Sequence, residues 1–430
     1  MSSHNLRVAI CGGGISGLTL AVALSKHQTI AVDLYETRSR FEEIGAGVMI
    51  WSRTWRILEL LGLGPQFRDR AHPQPNGSLG VGFDFRRSDQ PTEGFSFCQF
   101  LTPVSKLFQC IRFHRAEFLE PLVNTLPAGV AHFGKQVASY SNVDADGPIS
   151  IQFADGSSAI CDVLVGCDGL KSCVRGQLFR EEAHRRNDTA LLDYVHPVWT
   201  GTIAYRGLIP VDEIPLNIDG SKHRTITTPM MYCGRSKHVV SYAISKGSTV
   251  NVVTFSSQPK KNGTMVAEPW VESCSQQELL DCYSQWEPEV VTLLENIKHP
   301  SRWAIHHLRP LPFFAANRIV LIGDAAHAMA PHQGAGAGQA IEVCYITTRD
   351  DAHIALRIFD DARRKDANEV LSGSYKSGVM YEFESGFGDR YDVLGPGIQS
   401  QWDWVLRTDP EDDSLRVVEE FRKATRGTGH

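Results

Sequence analysis

Leu6-Arg7-Val8-Ala9-Ile10-Cys11-Gly12-Gly13-Gly14-Ile15-Ser16-Gly17-Leu18-Thr19-Leu20-Ala21-Val22-Ala23-Leu24 is the stretch that decides how the chain is read. Its first residues form a short apolar run suited to a buried strand, and the run from Leu18 reads as a buried helix. Between them stands Gly12-x-Gly14-x-x-Gly17. Gly12 can turn the chain sharply, Gly14 lets a diphosphate approach the backbone, and Gly17 lets the helix pack closely on the strand. The helix start offers N–H groups and a partial positive charge to phosphates. A second apolar run, Thr29 to Tyr35, ends in Glu36, about 20 residues past the glycines, where an acid accepts hydrogen bonds from a ribose. A glycine motif alone is a weak signal. With the strand before it, the helix after it and the acid beyond, the stretch predicts a dinucleotide site in an α/β domain.

The rest of the composition frames that site. A chain of 430 residues predicts more than one domain. Apolar content of 42% and charged content of 21% are those of an ordinary soluble protein. The net charge of −6 gives no support for nucleic-acid or lipid binding as the main task. No apolar run approaches the roughly 18 residues of a membrane span. The first residues lack a secretory pattern, and the last three are no retention or peroxisomal address. The ten cysteines are scattered without CxxC spacing and read as reduced thiols of a cytoplasmic protein.

Along the chain, Ile44-Gly45-Ala46-Gly47-Val48 is either an apolar turn that lets backbone approach a flat ligand or a plain loop-to-strand turn. Trp55 to Leu61 has amphipathic helical spacing, and residues 72 to 105 look like short strands and loops of another layer. Phe113 to about Leu126 opens a helix, where Arg115 either reaches a phosphate or ribose or is a solvated arginine. Val130 to Val165 alternates as strands do. Asp162 to Gly169 is a buried strand ending in Asp168-Gly169, and an acid at the end of a parallel strand is expected to point into the ligand crevice. From Val198 to Phe255 the pattern is strands at 200–208, 225–233, 238–244 and 249–255. Gln276 to Asn296 has helical spacing. Ile319 to His327 is again a buried strand ending in an acid, Asp324. Pro331 to Gly338 follows as a glycine-rich segment, including Gly336 and Ala337, that opens a helix from Gln339 to Tyr345 and offers a second anion site.

The fold class expected is α/β: a Rossmann-like domain with an inserted, mostly antiparallel β-sheet substrate domain and a helical C-terminal segment. The boundaries expected are 1–75, 106–180 and 305–349 for the first, 76–105 and 181–304 for the second, and 350–430 for the third.

Three elements stand in fixed order: Gly12-x-Gly14-x-x-Gly17, then Asp168-Gly169 followed by Ser172, Val174 and Arg175, then Gly323-Asp324 followed by Pro331-His332-Gln333-Gly334-Ala335-Gly336-Ala337-Gly338. As a set they resemble the single-component FAD-dependent aromatic hydroxylases, most closely the fungal salicylate-hydroxylase-like branch. The resemblance implies that the glycines cradle the FAD pyrophosphate and that Glu36 holds the adenosine ribose. It lays Gly47 along the cofactor, Arg115 on its phosphate side and Asp324 at its ribityl chain, with Ala337 and its neighbours beside the ring. NADH or NADPH would visit as a transient co-substrate, reduce the FAD, and one oxygen of O2 would pass to an electron-rich ring. The phenol would need a base near its oxygen. His238 and Tyr242, four apart on an expected strand, face one side, and related hydroxylases carry a His-x-x-x-Tyr pair in this region. Arg206 is a candidate for a substrate carboxylate or for oxygen transfer.

The resemblance implies a small aromatic substrate such as salicylate or a hydroxybenzoate, hydroxylated with or without loss of its carboxyl group, and it allows a homodimer. Two other readings stand beside it. One is a monooxygenase or epoxidase that tailors a larger natural product. The other is an inactive FAD-binding protein, because the family's apolar helix is expected to be cut short after Tyr345: Ile341 to Asp350 leads too soon into Ala355-Leu356-Arg357-Ile358-Phe359.

Overall fold

The computed structural model describes residues 6–41, 47–71, 81–101, 110–142, 147–217, 219–342 and 351–426. The glycine stretch forms as its residues dictate. Leu6–Cys11 is a strand, and Ile15–Leu24 is a helix that is buried on nearly every side. The strand sits inside a six-stranded sheet, parallel to Ile30–Glu36 on one side and to Val163–Gly166 on the other. Ile319–Leu321 adds in parallel beyond Val163–Gly166. Three chain segments far apart in sequence therefore end their strands at one edge of one sheet. Such runs are apolar on both faces because both faces are covered.

A second sheet of eight strands carries the inserted domain. Its central strands are Val198–Pro210, Thr249–Ser257, Lys237–Ile244 and Met230–Gly234, antiparallel neighbours in that spatial order. Val81–Arg87 and Phe95–Leu101 join the same sheet, so the early segment and the later one form a single layer. One face of this sheet buries Tyr205, Tyr232, Val239 and Val252 against Leu279, Tyr283, Val290 and Leu294 of two short helices. The alternate residues face the other way, towards the first domain.

Local details differ from the sequence expectations for identifiable reasons. Residues 225–233 are not one strand: Arg224–Thr227 is a helical turn, and the strand begins at Met230, after Pro229. The helix expected over 276–296 is two, Gln276–Cys282 and Pro288–Glu295, because Pro288 suits a helix start and not its interior. The last glycine-rich segment becomes helical earlier than expected, over Gly336–Ile341. Residues 343–350, where the shortening was expected, lie outside the described residues, as do Ile44, Gly45 and Ala46.

The C-terminal part is helical: Ala352–Tyr381, Tyr391–Ser400 and Pro410–Arg426. The last helix is tied to the first domain by Arg53, which donates to Glu342 at 3.1 Å and to Asp413 at 2.7 Å. Arg363 reaches the same Glu342 at 2.6 Å. These buried charges are acceptable because each has a partner. No helix among the described residues is long and apolar enough to cross a membrane.

Candidate active site

At the edge where the parallel strands end, the three glycines of the first motif do different things. Gly12 has φ +113°, and a Cβ there would lie 2.2 Å from the Cys167 carbonyl oxygen. At Gly17 a Cβ would lie 1.9 Å from the Gly12 carbonyl oxygen. Both positions exclude a side chain by close packing. Gly14 is the opposite case: a Cβ there meets nothing within 4 Å. Open space over a helix start is where a phosphate can approach the backbone. Glu36 is drawn to the same turn, accepting the Gly13 N–H at 2.7 Å and the Arg38 N–H at 2.8 Å.

The turn opens into a cavity of about 400 Å³ between the two sheets. Its first-domain wall includes Gly14, Gly47, Arg115, Asp324, Pro331, Gly336 and Ala337. Asp324 lies deep in the protein but is exposed along this wall, so it faces the cavity and not bulk solvent. Its surroundings push the carboxyl up by desolvation, while Arg115 and Arg175 pull it down. The turn Pro331–Gln333 is fixed from behind. Gln333 N–H donates to Ser374 Oγ at 3.3 Å, and the Tyr381 hydroxyl donates to the His332 carbonyl at 3.2 Å.

Asp168 is engaged elsewhere. Its carboxylate does not line the cavity, although Cys167 and Gly169 on either side do. Instead it accepts the Ser172 hydroxyl and the N–H groups of Cys173 at 2.7 Å and Val174 at 3.1 Å. Ser172 caps the same helix by accepting the Arg175 N–H at 2.9 Å. The acid at this strand end thus satisfies the free donors of the next helix, which sequence alone does not separate from pointing at a ligand.

The second sheet supplies the opposite wall. Strand alternation brings Ala204 and Arg206, Val253 and Phe255, and His238, Val240 and Tyr242 to it from three adjacent strands. Phe83, Met231 and Ile305 complete an apolar lining. Arg206 lies over the Trp303 ring at 4.9 Å and has no acid as ion-pair partner among the described residues. Burial lowers its pKa, and Arg115 lowers it further, with Tyr242 opposing. A half-buried guanidinium on a cavity wall, without an acid partner among the described residues, favours an anionic ligand.

His238 and Tyr242 both reach the cavity but engage different partners. His238 is 1% exposed, stacks on Phe255 at 4.4 Å and bonds through Nδ1 to Glu382 at 2.9 Å. Burial drives its pKa down to about 3. Tyr242 lies against Gly47, where a Cβ would come 2.7 Å from the tyrosine oxygen. Burial pushes its hydroxyl up to about 12. No hydrogen bond joins His238 to Tyr242 among the described residues.

Sequence reasoning missed Glu382 and the stacking partner Phe255. Phe255 stands directly opposite His238 across the strand pair, so correct register would have found it. Glu382 lies 144 positions from His238, in a stretch that reads as a charged helix end.

The residues present fit FAD: open backbone over Gly14, a carboxylate at the glycine turn, Arg115 and Asp324 facing one cavity, and a main-chain wall from Pro331 to Ala337. A family profile described as an FAD binding domain matches residues 5–200. Fold and site therefore define a flavoprotein monooxygenase with FAD as cofactor. The chain is 36% identical over 426 residues to a salicylate hydroxylase of Pseudomonas putida, covering 95% of this chain and 94% of that one. It is 33% identical over 437 residues to the 6-methylsalicylate 1-monooxygenase of Aspergillus terreus, covering 97% and 93%. A solved salicylate hydroxylase substrate complex matches with a TM-score of 0.83 at 32% identity, over 96% of this chain and 98% of that one. The chain belongs to the salicylate hydroxylase family of FAD-dependent monooxygenases.

Proposed function

We propose that the protein hydroxylates a small phenolic acid, such as salicylate or another hydroxybenzoate, with or without loss of the carboxyl group. The observation that carries this reading is Arg206, a half-buried cation without an acid partner among the described residues, on the same cavity wall as His238. One group suits a carboxylate and the other a phenol. Bound FAD supplies the reduction by NADH or NADPH and the activation of O2. The protein's own residues do the rest. Glu36 and the glycine turn hold the adenosine end, and Arg115 and Asp324 hold the middle of the cofactor. Arg206 anchors the substrate carboxylate through charge-assisted hydrogen bonds. Phe83, Met231, Val240, Val253, Phe255 and Ile305 clamp the ring and exclude water. His238 takes the phenolic proton, which makes the ring a better nucleophile, and Tyr242 orients the phenol.

Size favours a single-ring substrate. The cavity of about 400 Å³ must take the flavin ring and the acid together, within the range for one ordinary ligand site of ~300–1,000 Å³. In this reading the eight-stranded sheet is the substrate layer and the parallel sheet the cofactor layer. The test is a panel of phenolic acids scored for stimulated NAD(P)H oxidation and for hydroxylated product. Product from a single-ring acid supports the reading. Peroxide alone from every acid, with turnover of a polycyclic phenol, would replace it with the tailoring reading.

A further inference from the structure

The group behind His238 carries an inference of its own, which rests on the reading of His238 as the base. We propose that Glu382 is a positioning residue that forms one proton-holding unit with His238, its carboxylate receiving the imidazole Nδ1–H so that Nε2 is left to take the phenolic proton. The pair is buried and held from several sides, with His238 at the cavity wall. His238 is 1% exposed and Glu382 3%, and Nδ1 lies 2.9 Å from Glu382 Oε1. The same oxygen accepts the Ser257 hydroxyl at 2.8 Å. Glu382 follows directly on the helix Ala352–Tyr381, and its carbonyl accepts the Ser236 N–H at 3.1 Å, so its backbone is fixed as well.

A buried histidine alone is a poor base. Burial holds His238 down to about 3, far below the value of a phenol. The same burial pushes Glu382 up to about 8, so the pair binds a proton that neither a lone imidazole nor a lone exposed carboxylate would keep. Interacting groups of this kind titrate as a unit. In the base form the pair holds one proton, on Nδ1 and shared with the carboxylate. In the transfer the phenol O–H bond breaks and an Nε2–H bond forms. The Nδ1 proton moves towards Glu382, and the negative charge passes from the carboxylate to the phenolate.

The other groups facing the pair leave this proton to it. His332 lies edge-on to His238 at 5.0 Å and is held well below its usual pKa by burial and by His238 and His307. Tyr381, Cys233 and Tyr283 are all pushed far up by burial, and Tyr375 is raised by burial and by Glu382. Glu384 opposes ionisation of Glu382, while the Ser257 bond favours it.

The experiment titrates the holoenzyme with a nitro-substituted hydroxybenzoate, whose phenolate absorbs at longer wavelength, and reads ionisation of the bound phenol against pH without turnover. In the wild type, ionisation should rise with a bend near the value of about 8 to which burial pushes Glu382. Glu382→Gln should abolish that bend while FAD binding is unchanged, and hydroxylation should fall by about 10²–10⁴-fold. Ser257→Ala, which keeps the pair but removes a bond to the ionised carboxylate, should move the bend up by about one pH unit. That variant decides the matter if Glu382→Gln does not fold. If His238→Asn moves the curve and Glu382→Gln or Ser257→Ala leaves it in place, the pair is overturned and His238 stands as a base alone. If none of the three moves it, the reading of His238 as the base fails, and the pair with it.

Discussion

Arg175 donates from its guanidinium to the Ala325 carbonyl at 3.1 Å and to the Leu170 carbonyl at 2.7 Å. It is fully buried, and its pKa is lowered to about 10 by burial, with Asp168 and Asp324 opposing. One side chain therefore joins the loop after Asp168 to the residue after Asp324. Two motifs about which the sequence says only that they occur in order are a single structural unit.

Removing that side chain should loosen both loops. Arg175→Met roughly keeps the volume but removes the donor to the carbonyls of Ala325, Leu170 and Val195, and a buried acceptor left unsatisfied costs about 1–3 kcal/mol. The variant should unfold at lower denaturant concentration and bind FAD more weakly. Chemical denaturation with and without excess FAD measures both effects.

The glycine turn makes a sharper contrast. Gly17→Ala forces a Cβ to 1.9 Å from the Gly12 carbonyl, and overpacking of this kind costs about 1–3 kcal/mol or more. Gly14→Ala meets no protein atom within 4 Å, so the apoprotein should be as stable as wild type. The same methyl stands in the proposed pyrophosphate space, so FAD affinity should drop by about tenfold or more, equivalent to about 1.4 kcal/mol. Thermal melting of the apoproteins and an FAD titration separate the two outcomes.

Arg206→Gln should affect acids selectively. Losing a charge-assisted bond costs about 1.5–3 kcal/mol, which raises KM for a hydroxybenzoate by about 10–100-fold. A neutral phenol of the same size should show a much smaller change. Equal losses for both substrates would assign Arg206 to some role other than carboxylate binding.

Stability should vary with pH through the buried pair. The Glu382 carboxyl is raised, so its contribution is present at low pH and is lost as pH rises through about 8. His238 is lowered from 6.5 to about 3, so its contribution is present above 6.5 and is lost as pH falls towards 3. Between about 6.5 and 8 only the Glu382 contribution changes, and unfolding free energy should decline with rising pH there. Glu382→Gln should flatten that decline, as denaturation midpoints across the window would show.

The parts of this molecule legible in its sequence are those that local rules determine. The strand, glycine turn and helix of Leu6 to Leu24 follow from packing and φ requirements within one short stretch. Asp324 and Gly336 were legible because a glycine-rich segment follows a buried strand. His238, Tyr242 and Arg206 reach one wall through strand alternation, which period-two spacing already implies. At Asp168 the sequence leaves two options, because an acid after a strand can serve a ligand or a helix start, and in the structure its carboxylate bonds Ser172 and the N–H groups of that helix start. Glu382 was invisible because its partner is fixed by the docking of a long helix end against a distant strand. No spacing records that contact.

The most direct test of the account is turnover of salicylate and other single-ring hydroxybenzoates with NAD(P)H under oxygen-18, with the product analysed by mass spectrometry. The account predicts a hydroxylated product from one of these acids carrying a single heavy oxygen atom, formed in proportion to the NAD(P)H consumed and sharply reduced at sub-saturating substrate in Arg206→Gln and His238→Asn at equal FAD content. NAD(P)H consumption that yields only labelled peroxide with every single-ring acid, or a product without heavy oxygen, would contradict it.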